Sequence, residues 1–339
     1  MAVGVLVLAE SGNTHQKVTP QSLAALGVVI GALSQRDSPM HRIIDGTLYT
    51  RHGQPYAHDL KVHDLGHGQT EAVLLPRYAW SEVGALSARA RADFDAACAA
   101  LESGSGLTEA EKLERACENK DRATRRARTK VRRLAKAKGL TTLLTLTYRE
   151  NMVERDRMQR DLDVFLKRVR RVIPGFQYVC VFERQKRGAW HAHLAVEKVL
   201  SHYLAGGSLV KSYDLLRSMW RAVVGANNGN VDVSRNRRLQ RSAAKLAAYL
   251  SKYIGKTFHG NEKHVNSYSA SGRALARPMS FRISEPTLAA ALDQACQLLE
   301  HDISTSEFAL HLCDGGGAFI CLSPPEPPCW AKRSAQPAH

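Results

Sequence analysis

The chain has 339 residues, long enough for two domains, and 44% of them are hydrophobic, which excludes wholesale disorder. Lys and Arg number 48 against 32 Asp and Glu, a formal charge of +16. A surplus of that size points to a polyanionic partner, nucleic acid before membrane. Seven scattered cysteines form no CxxC pair, which argues against a disulfide framework and for a reducing cytoplasm. The first ten residues lack a basic leader pattern, and the apolar run from Leu23 to Leu33 is far shorter than the roughly 20 residues a spanning helix needs. A soluble, cytoplasmic protein without a membrane partner is therefore expected.

Residues 1–84 show no sustained periodicity, and their histidines (His41, His52, His58, His63 and His67) read as scattered surface groups. Residues 85–138 are rich in Ala, Glu, Arg and Lys and read as helical. Lys120 to Lys138 holds ten Lys or Arg and a single acid, Asp121. So one-sided a run suits a phosphate-binding arm or linker.

From residue 139 the pattern sharpens. Thr141 to Tyr148 alternates Thr with Leu and reads as a strand. Met158, Leu162, Phe165, Leu166, Val169 and Val172 repeat at helical spacing and stop before Pro174-Gly175. Two strands follow, Gln177 to Glu183 and Trp190 to Val196, joined by a turn over residues 184–189. A helical face runs from Leu209 to Val223, then a short strand from Asn230 to Ser234, then a helix from Leu239 to Ile254. The order β-α-β-β-α-β-α predicts an α+β fold of the ferredoxin-like, split βαβ kind, an antiparallel sheet with helices on one face. The expected division is 1–138, an N-terminal region with a basic helical arm at 120–138; 139–283, the sheet domain; and 284–339. In the last segment a helix from Glu285 to Glu300 leads to Gly315-Gly-Gly317 and a Pro-rich tail with no packed core of its own.

Chemistry concentrates in that sheet domain. On a strand, His191 and His193 point to one face while Trp190, Ala192, Leu194 and Val196 take the other. Two adjacent imidazoles backed by an apolar face make half of a metal site. A hairpin closed around Arg187 sets Glu183 opposite His191, although a bulged turn would shift the register and undo the pairing. Two imidazoles and a carboxylate suit Mg²⁺ or Mn²⁺, and also accept Zn²⁺. Some 60 residues on, Tyr249-Leu-Ser-Lys252-Tyr253-Ile-Gly-Lys256 repeats YxxK in tandem. On a helix Tyr249 and Tyr253 share a face, as do Lys252 and Lys256. A phenol with a pKa near 10 needs a neighbouring ammonium or a metal-bound phosphate to act as a nucleophile at neutral pH. From Val233 to Lys256 there are seven Lys or Arg and no acid, a stretch suited to a phosphate backbone. Two other patterns fail. Ile254-Gly-Lys-Thr257 lacks the upstream glycine of a P-loop, and His311, Cys313, Cys321 and Cys329 match no zinc spacing.

Taken in order, the Thr/Leu strand, the segment Gly188-Ala-Trp-His191-Ala-His193 with upstream Glu183, and Tyr249 to Lys256 resemble the three motifs of HUH endonucleases. More narrowly they resemble the two-tyrosine rolling-circle replication initiators of single-stranded DNA phages and small plasmids. The resemblance spans about residues 140–278. It implies that His191, His193 and Glu183 hold a divalent cation, Mg²⁺ or Mn²⁺. It implies that Tyr249 and Tyr253 nick single-stranded DNA at a replication origin through a 5′-phosphotyrosine, with Lys252 and Lys256 steadying phosphate charge. No helicase segment is recognisable, so a host helicase would unwind and a host polymerase would extend the free 3′-hydroxyl. A relaxase or transposase with the same core is the neighbouring alternative. A non-catalytic nucleic-acid-binding module with a similar sheet is the distant one, and Tyr178 and Phe182 would be its stacking aromatics.

Overall fold

The computed structural model describes residues 5–7, 15–17, 41–103, 108–234, 243–257, 267–272, 274–299, 303, 306–313 and 315–325. In chain order these form strands β1 (Val5–Val7), β2 (His15–Lys17), β3 (His41–Ile44), β4 (Thr47–Asp64) and β5 (Thr70–Ala85), then helices α1 (Ala88–Ser103) and α2 (Glu109–Ala137). Strand β6 (Thr142–Tyr148), helix α3 (Arg155–Val172), strands β7 (Tyr178–Arg184), β8 (Trp190–Val196), β9 (His202–Ala205) and β10 (Ser208–Lys211) follow. Next come helix α4 (Ser212–Val224), strand β11 (Gly229–Ser234), helix α5 (Ala243–Thr257), strands β12 (Tyr268–Ala270) and β13 (Met279–Ile283), helix α6 (Leu288–Leu298), and strands β14 (Glu307–Cys313) and β15 (Gly317–Ser323). The fold is α+β. Contacts divide the chain into Cys117–Leu275 and a second unit made of Met1–Ala116 with Ala276–His339. No helix among the described residues is long and apolar enough to cross a membrane.

The Cys117–Leu275 unit is built on an antiparallel five-stranded sheet in the order β11-β6-β8-β7-β12. The strands joined through α3, β6 and β7, are separated by β8, which is the split βαβ arrangement. Strand alternation sorts the side chains. Leu144, Leu146, Tyr148, Cys180, Phe182, Ala192 and Leu194 enter one core with Phe165 of α3 and Trp220 of α4. Trp220 Nε1 also donates to the Thr147 carbonyl at 3.0 Å. Leu143, Val179, Val181 and Ala195 enter the other core with Val131, Leu134 and Ala135 of α2 and Leu246, Leu250 and Ile254 of α5. Helices therefore cover both faces, correcting the one-faced expectation. Period-2 alternation with apolar residues in both sets is what a doubly covered sheet requires.

Three further expectations change in this unit. The basic segment 120–138 is the second half of α2, with Val131, Leu134 and Ala135 fully buried, rather than a free arm. Leu209 lies in strand β10, paired with Leu204, and the helix begins at Ser212. Tyr178 and Phe182 are core residues, 5% and 1% exposed, so the stacking surface of a non-catalytic binding sheet is missing on that face. The arginines between residues 235 and 242 lie outside the described residues.

The other unit holds an antiparallel sheet in the order β13-β4-β5-β15-β14, with β3 on β4. Leu60, Val62, Leu74, Ile283, Leu310 and Ile320 form its core with Leu292 and Ala295 of α6. Thr287 caps α6, its side chain accepting from Ala290 N. The segment expected to lack a core thus supplies two strands. Its glycines explain the turn: Gly315 and Gly316 adopt φ of 93° and 80°, and a Cβ at Gly317 would lie 2.6 Å from the Leu74 carbonyl oxygen. His58, read as a surface group, is fully buried, with Nδ1 2.8 Å from the Glu285 carbonyl oxygen. Residues 23–33, Cys329 and the tail from 326 onward lie outside the described residues.

Candidate active site

The β7–β8 hairpin closes as the residue spacing predicts. Gln185 N donates to Ala189 O at 2.9 Å and Gly188 N to Gln185 O at 2.8 Å, with Gly188 at φ 88°. That turn sets the register Glu183 opposite His191 and Val181 opposite His193. On the far side Trp190 is anchored by Nε1 donating to Val153 O at 3.1 Å, so β8 cannot rotate its histidines out of place.

His191 and His193 are both buried, 8% and 7% exposed, on the α5 face of the sheet. His193 Nε2 lies 2.9 Å from Glu183 Oε2, and its Nδ1 lies 3.2 Å from Thr145 Oγ1 on β6. His191 Nδ1 lies 3.2 Å from Gln185 Nε2, while its Nε2 is buried without a hydrogen-bond partner among the described residues. Burial holds the His191 imidazole below its ordinary pKa; His193 and Arg187 add to the effect and the Glu183 charge opposes it. His191 therefore favours its neutral form, the state that offers a lone pair.

Helix α5 delivers the tyrosines. Leu246, Ala247, Leu250 and Ile254 are buried against β7 and β8, and Tyr249 and Tyr253 flank that stripe, half-buried. The Tyr253 ring stacks on the His193 imidazole, centroids 4.3 Å apart and planes 20° apart. Tyr253 Oη donates to Tyr249 Oη. Burial, the Tyr249 hydroxyl and the Glu183 charge all push the Tyr253 phenol above its ordinary range, so it is neutral here. Lys252 is exposed on the same helix, and the side chain of Lys256 lies outside the described residues.

Glu183, His191, His193, Tyr249 and Tyr253, five of the seven residues singled out by spacing, thus meet on one sheet face. Among the described residues no three His, Cys, Asp or Glu side chains stand as a ready metal cage, because His193 and Glu183 bond each other directly. Thr145 and Gln185 escaped the sequence reading. The β6–β8 pairing that brings Thr145 to His193 joins residues 48 positions apart and leaves no local signal.

Residues 141–258 match a family model of replication-associated proteins, the ORF2 type. No curated protein and no solved structure matches the chain. The matched segment, just over a third of the chain, runs from β6 through α5 and contains every residue of the site. It supports a Rep-like replication initiator that associates with DNA.

Proposed function

We propose that the protein initiates rolling-circle DNA replication in the bacterial cytoplasm by nicking single-stranded origin DNA through a tyrosine, and that Mg²⁺ or Mn²⁺ assists. The observation that carries this reading is the stacking of Tyr253 on His193, with Tyr249 hydrogen-bonded beyond it. Two phenols stand beside two imidazoles and a carboxylate on one rigid sheet face.

The donor set fits a divalent cation. His191 Nε2 is a buried ring nitrogen with no partner among the described residues. His193 Nε2 and the Glu183 carboxylate would exchange their mutual hydrogen bond for the ion. A bound Mg²⁺ or Mn²⁺ supplies polarisation of a non-bridging phosphate oxygen. The protein's own groups do the rest. A phenol oxygen of Tyr249 or Tyr253 attacks phosphorus in line as the bond to O3′ breaks. The phenol proton passes to water, and the departing O3′ takes one up. The products are a 5′-phosphotyrosine and a 3′-hydroxyl that a host polymerase extends after a host helicase opens the duplex. The ester keeps the phosphodiester energy, so a later attack by a 3′-hydroxyl rejoins the strand without ATP. Adjacent phenols allow one tyrosine to hold the first strand while the other cuts again. Lys252 and Lys256 lie on the same helix to offset phosphate charge.

The test is covalent capture. Protein incubated with single-stranded origin DNA and Mn²⁺ gives a denaturation-resistant adduct, which the Tyr249→Phe/Tyr253→Phe double variant does not form. Absence of any adduct on origin DNA with Mg²⁺ or Mn²⁺ overturns the reading.

A further inference from the structure

Each imidazole of the pair is held from behind by a neutral side chain on a different element. Thr145 reaches His193 Nδ1 from β6, at 3.2 Å, because the β6–β8 register sets the two residues directly opposite. Gln185 reaches His191 Nδ1 from the first residue of the β7–β8 turn, also at 3.2 Å, and its backbone is pinned by the bond to Ala189 O. The amide has its own partner: Arg187 Nε donates to Gln185 Oε1 at 3.1 Å.

We propose that Thr145 and Gln185 are positioning residues for the histidine pair, each holding Nδ1 of one imidazole so that the Nε2 edge is left for the ion. The inference rests on the nicking reading above. An imidazole that offers its Nε2 lone pair carries its proton on Nδ1, and that proton needs an acceptor. The threonine hydroxyl has two acceptor lone pairs and one rotatable proton, so it accepts from Nδ1 without loss. The glutamine amide presents a donor to His191 while Arg187 holds its oxygen. Turning it over presents Oε1 to Nδ1 instead and releases Arg187, an exposed cation at the hairpin tip. Valine in place of Thr145, or leucine in place of Gln185, keeps the volume and loses the acceptor.

The experiment measures Mn²⁺ binding to the full chain without DNA, by the electron paramagnetic resonance of free Mn²⁺, and the Mn²⁺ dependence of adduct formation alongside it. Thr145→Val and Gln185→Leu bind Mn²⁺ about 10- to 100-fold more weakly, whereas Thr145→Ser and Gln185→Glu, which keep an acceptor, stay within about threefold of the parent. Saturating Mn²⁺ restores adduct formation in the weakened variants. Parent-like affinity in Thr145→Val and Gln185→Leu, with the parent protein binding Mn²⁺ and forming adduct, overturns the positioning role alone. Equal losses in the Ser and Glu variants overturn it too. A parent protein that neither binds Mn²⁺ nor forms adduct removes the nicking reading and this inference together.

Discussion

Helix α5 presents both tyrosines, and three large side chains anchor it. Leu246, Leu250 and Ile254 are each fully buried. Replacing Leu250 by Ala removes the middle anchor from a site closed by Val179, Val181 and Ala195. A Leu→Ala change in such a packed site costs about 3 kcal/mol, the lost transfer energy plus the cavity left behind. Because α5 is a single helix at the end of the matched segment, much of that cost falls on its docking. An opening free energy lowered by about 3 kcal/mol raises the undocked population on the order of a hundredfold. Hydrogen exchange followed by mass spectrometry reads this directly, as lost protection of peptides covering residues 243–257. Ala248→Gly, at an exposed position of the same helix, is the control: it costs about 1 kcal/mol through helix propensity and leaves the packing intact. If Leu250→Ala loses no more protection than Ala248→Gly, the helix is not held by this stripe, and the placement of Tyr253 against His193 falls with it.

Arg125, Arg126 and Arg128 are exposed on α2. Their triple Ala variant lowers the slope of log affinity for single-stranded DNA against log salt by about 2, roughly 0.7 for each lost phosphate contact; an unchanged slope removes α2 from the DNA track. Burial lowers the His58 pKa from 6.5, so the fold prefers the neutral ring. Protons then bind the unfolded chain first, and stability falls as pH drops below 6.5, by at most about 1.4 kcal/mol per pH unit, levelling off below the folded-state pKa. Denaturant unfolding at pH 7 and pH 5 shows a smaller drop in His58→Gln than in the parent, and equal drops refute the assignment.

The elements from β6 to β11 were legible because each shows its own periodicity: Leu143 to Thr147 alternates, and Met158 to Val172 repeats every three or four residues. The Glu183–His191 pairing was also legible, since a hairpin's register follows from residue spacing alone. Strands β4 and β5 were not. His58 and Glu71 occupy buried positions that apolar residues normally mark, Pro76 interrupts the second strand, and register shifts around Pro55 move side chains from one face to the other.

Sequence alone thus determined the split βαβ core, the facing of Glu183 and His191, and the two tyrosines one helical turn apart, all consequences of short-range repeat and turn length. Tertiary structure decided which helices cover which face, that 120–138 belongs to the Cys117–Leu275 unit, that β15 pairs with β5, and that Tyr253 stacks on His193. Those contacts join residues tens to hundreds of positions apart. Burial of shared apolar surface selects among such pairings, and that free energy belongs to the assembled core rather than to any one segment.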